Sequence, residues 1–156
     1  MIPAAAPVSD DDRFRIAARC YLGYALLYEI GGVYLVSQGV GVPPGVGARG
    51  RMVYVVFWAL IGLVPLLGVP YLLRRSRAWF EHWLLTRRDF ARILTLFMAY
   101  RAFKVGHVAL RGQTATVAAP WGGDMTFRVG AAVFLVVTLI ALGVVARAAW
   151  HPEARP

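Results

Sequence analysis

The sequence predicts an all-α integral membrane protein, a bundle of four transmembrane helices with a short interfacial amphipathic helix between the second and third. Three observations lead there. Four separate stretches, at 16–36, 52–73, 88–110 and 129–149, are each long and apolar enough to cross a bilayer. With 59% hydrophobic and 16% charged residues and a mean hydropathy of +0.59, the chain is too apolar for a soluble domain of 156 residues. The basic residues gather at the ends of the four stretches, where a chain meets anionic lipid headgroups. That placement argues against nucleic acid as the partner, although the formal net charge is +9. The whole chain reads as one membrane domain.

The opening residues are small and Pro-containing and lead to Asp10, Asp11 and Asp12, so they read as a short solvated tail. They do not read as a secretory signal: acid precedes base, and the apolar run 16–36 is longer than a typical signal core. The first helix is therefore expected to remain as an anchor. Within it, Ala18, Ala25, Glu29 and Gly32 fall on one side, a small-residue face that lets another helix approach closely and puts a carboxylate in the seam. Tyr21, Tyr24 and Tyr28 read as packing and interface-anchoring residues.

A Gly/Pro loop at 39–50 has no periodicity and separates the first helix from the second. The second helix contains Pro65 and Pro70, and a bend is expected near Pro65, where a backbone carbonyl loses its partner. Arg74, Arg75 and Arg77 then open the amphipathic stretch 77–85, with Trp79, Phe80, Trp83 and Leu84 on one side. Thr86 and Asp89 match a capping box and start the third helix. The segment 112–127 reads as a polar, Gly-rich loop with Trp121 as an interface anchor, and 129–149 carries no charge before Arg147.

The third helix poses the central chemical question. In FARILTLFMAYRAFKVGHVALR (90–111), Arg101, Lys104 and His107 stand where hydrocarbon is expected. Each Arg or Lys at a helix centre costs about 2.5–3.5 kcal/mol on insertion scales, so this stripe needs protein, water or an anion against it. At 100° per residue, Phe97, Tyr100, Arg101, Lys104, His107 and Arg111 share one broad side.

Counting basic residues outside the spans places Arg13, Arg15, Arg19, Arg74, Arg75, Arg77, Arg87, Arg88, Arg92, Arg147 and Arg155 on one side. Only Arg49, Arg51, Arg111 and Arg128 fall on the other, which predicts a multi-pass protein of the inner or plasma membrane with both termini cytoplasmic. The first and third helices then run in the same direction. Glu29 and Lys104 reach nearly the same depth, so a pair between Glu29 and Lys104 or Arg101 is geometrically allowed.

The candidate binding or charge network is thus Glu29, Arg101, Lys104, His107, Tyr28 and Tyr100; no catalytic residue and no metal ligand set is assigned. Two cations against one carboxylate leave positive charge for an acidic neighbour or a lipid phosphate. No cofactor is predicted, and the one arrangement that would admit a haem or pigment is between two copies, because His82 and His151 lie at the interface opposite His107. The lone Cys20 excludes a disulfide or a Cys-based metal site within one chain. No nucleotide loop, zinc-hydrolase motif or nucleophile elbow is visible.

The leading functional expectation is an integral subunit or assembly partner of a larger membrane complex, with anionic lipid at its cytoplasmic face and other subunits, or further copies of itself, as partners. Its alternative is a small oligomeric transporter or channel for protons or an anionic solute. A third reading is an intramembrane enzyme acting on a lipid phosphate, with Arg101 and Lys104 as charge stabilisers.

Overall fold

The computed structural model describes residues 9–83, 85–111 and 116–151. The chain is mostly helical. It forms α1 (Asp10–Ser37), α2 (Ala48–Leu73), a single turn α3 (Arg77–Phe80), α4 (Arg87–Arg111), β1 (Thr116–Ala118), β2 (Asp124–Thr126) and α5 (Phe127–Trp150). Four of these helices are long and apolar enough to cross a membrane. They cover the four apolar stretches of the sequence.

Local chemistry explains most of the boundaries. The Asp12 amide donates to Ser9 Oγ at 3.1 Å, and three acids occupy the first turn of α1, where a helix N-terminus favours negative charge. Asp10–Asp12 therefore begin the helix rather than ending a solvated tail. At α4 the Asp89 amide donates to Thr86 Oγ1 at 3.1 Å. The Thr86 hydroxyl in turn donates to Asp89 Oδ2 at 2.6 Å, a side-chain bond that holds the two capping residues together. α2 continues as one helix through Pro65 and Pro70.

Two segments differ from expectation. Only Arg77–Phe80 of the amphipathic stretch 77–85 is helical; Glu81–Trp83 form turns, and Leu84 lies outside the described residues. Four residues are too few for a helix to stand on its own hydrogen bonds. The segment expected to be a loop at 112–127 contains a small antiparallel hairpin, β1 with β2, in the register Thr116 to Thr126 and Ala118 to Asp124. Its turn uses Gly122 and Gly123 at φ of 95° and 78°, conformations that a side chain disfavours. Tyr34 Oη of α1 donates to the Ala118 carbonyl at 2.6 Å and ties the hairpin to the bundle.

α5 packs against α1 and α4, α1 also packs against α2, and α2 meets α4 only marginally. Small residues make the close approaches possible: Ala91 and Ala102 on α4, Ala141, Ala148 and Ala149 on α5, and Ala17 and Ala18 on α1 are all buried. The buried Thr95 and Thr138 hydroxyls return to their own helices, donating to Ala91 and Phe134 carbonyls at 2.7 and 2.6 Å.

The core is not spread evenly. Phe14, Tyr21, Tyr24, Leu66, Leu73, Leu94, Met98 and Val145 form one cluster at the end where α1 and α4 begin and α2 and α5 finish. Toward the opposite end, Leu26, Leu27, Ile30, Phe97, Tyr100, Phe103, Val133 and Val136 are exposed. The bundle is tight at its arginine-rich end and loosely covered at the other.

Candidate functional site

The arginine-rich end is held by ion pairs between the first turns of α1 and α4. Arg87 reaches Asp11 at 2.8 Å and Arg88 reaches Asp10 at 2.9 Å. Arg87 also lies 4.1 Å from the centre of the Phe14 ring and donates to the Arg75 carbonyl at 3.2 Å. Such pairs place the starts of α1 and α4 at one level, so these helices run in the same direction. An expected tail at Asp10–Asp12 leaves this cluster without its acids; as the first turn of α1 they meet α4. The signal was present as an acidic triplet and a basic Arg87-Arg88 pair, each opening a helix.

Farther along the bundle, the structure divides the expected charge network. Arg101 turns inward, its guanidinium 4.4 Å from the Tyr28 ring centre and within electrostatic reach of the Tyr21 and Tyr24 hydroxyls. Tyr28 in turn packs on Tyr24 and Phe134 at 5.7 and 5.4 Å between ring centres. Arg101 thus sits at an aromatic wall built by α1 and α5. A cation–π contact is worth about 0.5–2 kcal/mol, more as water is excluded from it.

Glu29 faces elsewhere. Its carboxylate lies directly over Gly62 of α2, where even a methyl group would collide with it, and its Oε1 is enclosed without a hydrogen-bond partner. The allowed pair with Arg101 or Lys104 is not formed. The reason is helical geometry: Tyr28 and Glu29 are 100° apart, so one turns toward α5 and Arg101 while the other turns toward α2. Gly32, also on the small-residue face, receives the Trp58 indole of α2, and Gly31 receives the Phe134 ring of α5.

Tyr100, Lys104 and His107 are exposed on the outer face of α4, beside Phe103, which is 70% exposed. The six candidate residues therefore occupy three places: Tyr28 with Arg101 inside, Glu29 at the α1/α2 contact, and Tyr100, Lys104 and His107 outside. Among the described residues, no three His, Cys, Asp or Glu side chains are grouped to hold a metal ion.

Comparison of the chain with protein-family models, with curated proteins and with solved structures returns no match. Four apolar helices are compatible with a membrane protein.

Proposed function

We propose that the chain spans a cell membrane, with both termini cytoplasmic, as an integral subunit or assembly partner of a larger complex. The carrying observation is the exposed stripe of Tyr100, Lys104 and His107 on the loosely covered half of α4. Lys104 stands seven residues before Arg111, about 10 Å from the end of the helix. An ammonium group on a lipid-facing surface at that depth is costly, whereas an acidic group on a neighbouring helix stabilises it. Asp89, in the first turn, is the sole acid of α4, so an α4-to-α4 contact between two copies offers no carboxylate along this stripe. A different chain bearing one does.

Native mass spectrometry of the protein extracted gently from its own membrane tests this reading. A particle containing other chains is expected for wild type, and Lys104→Leu is expected to lose them while keeping its helix content. Retention of the same partners by Lys104→Leu would overturn the docking role of Lys104.

A second reading is an oligomeric transporter or channel for protons or an anionic solute. The same acid-free stripe favours it, since copies arranged with α4 inward would line a cationic path. Particles that are multiples of 17.1 kDa only, with anion flux in liposomes abolished by Lys104→Leu, would select this reading over the first.

A further inference from the structure

At the arginine-rich end an open groove of about 460 Å³ runs between α1 and α2, lined by Leu22, Leu66, Leu67, Pro70, Tyr71 and two arginines, Arg74 and Arg75. Its volume lies within the roughly 300–1,000 Å³ of small-molecule sites. The chemistry changes along its length. Leu66 is eight residues before Arg74, so about 12 Å of apolar wall leads to a cationic mouth.

The mouth keeps its charge. Among the described residues at this end, Asp10 pairs with Arg13 and Arg88, Asp11 with Arg87, Asp12 with Arg15, Glu81 with Arg77 and Asp89 with Arg92. Among the described residues, no carboxylate pairs with Arg74 or Arg75. Arg75 is nevertheless held in place, 4.1 Å from the Tyr71 ring centre and 5.6 Å from that of Trp79, and its Nε is enclosed without a hydrogen bond. Arg74 is exposed. A fixed guanidinium beside a free one, above an apolar trough, is complementary to a phosphate carrying an acyl chain.

We propose that this groove seats one anionic phospholipid, its phosphate against Arg74 and Arg75 and one acyl chain along Leu22, Leu66 and Leu67. The site rests on the membrane placement of the chain and not on the partner assigned to the α4 stripe. It accounts for two of the arginines that the described acids of this end leave unpaired, and for a trough that the helices do not fill.

The test reconstitutes the full chain in nanodiscs of equal parts phosphatidylglycerol and phosphatidylcholine, then counts retained lipids by native mass spectrometry after release into detergent. One phosphatidylglycerol per chain is expected, preferred over phosphatidylcholine by about tenfold, because phosphatidylcholine offers the same phosphate but its choline ammonium is repelled by Arg74 and Arg75. Arg74→Gln is expected to remove most of that preference. Leu22→Trp keeps both arginines but narrows the trough, and is expected to release the lipid. Equal retention of the two lipids by wild type would overturn the proposal without any variant. Undiminished phosphatidylglycerol on Leu22→Trp, with helix content preserved, would show surface attraction alone and also overturn it. A lipid retained in this test, together with no other chains on the protein extracted from its own membrane, would leave this site standing while the subunit reading fell.

Discussion

Removal of the Arg87 side chain is expected to loosen the bundle at its tight end. That side chain is only 10% exposed and makes three contacts at once, with Asp11, the Phe14 ring and the Arg75 carbonyl. The Asp11 carboxylate is 69% exposed, so the ion pair itself contributes about 0.2–1 kcal/mol. The ring contact adds about 0.5–2 kcal/mol and the charged hydrogen bond to the carbonyl about 1.5–3 kcal/mol. These terms share one side chain and do not add fully, so Arg87→Ala is expected to cost about 2–4 kcal/mol. Arg87→Lys keeps the charge but not the planar group, and is expected to recover less than half. Reversible unfolding in detergent micelles followed by circular dichroism gives the loss, and a double-mutant cycle with Asp11→Asn gives the share of the ion pair. A loss below about 0.5 kcal/mol, the range of an ordinary surface substitution, would refute the reasoning. So would a cycle that assigned the whole loss to Asp11.

Two further predictions concern the interior. Gly62→Ala is expected to cost about 1 kcal/mol or less, because the added methyl group displaces the Glu29 carboxylate, which is the movable end of a flexible side chain; Glu29→Ala in the same chain is expected to remove that cost. Additive effects of the two substitutions in unfolding experiments would contradict that contact. Arg101→Met is expected to leave stability unchanged or raise it, since it removes an insertion cost at least as large as the cation–π energy it gives up. Tyr28→Leu with Arg101 retained is expected to cost about 2 kcal/mol, and a loss of that size on Arg101→Met instead would mean that arginine holds the bundle together.

The capping of α4 by Thr86 and Asp89, the approximate places of the four apolar helices and the shared direction of α1 and α4 were legible in the sequence. Each depends on short-range pattern: a hydroxyl three residues before a carboxylate, runs of about 20 apolar residues, alternating loops. The small-residue face of α1 was legible for the same reason, and Gly32 does receive a ring from α2. The three-residue strands of the hairpin were not, because so short a segment has no measurable period. Asp10–Asp12 were misread because the apolar run that marks a span begins several residues after the helix does.

What the sequence by itself determined, then, was how many long apolar helices there are, roughly where they lie along the chain, and which charged side chains fall within them. Which of those side chains meet was decided by tertiary structure alone. Each residue turns a helix by 100°, so a modest rotation of α1 sends Glu29 to Gly62 and Tyr28 to Arg101 instead of joining Glu29 to either cation of α4. Periodicity gives a side chain's position relative to its own helix. The rotation of that helix against its neighbours is set by how Gly31, Gly32 and Gly62 accept Phe134, Trp58 and Glu29, a fit that exists only once the helices are packed.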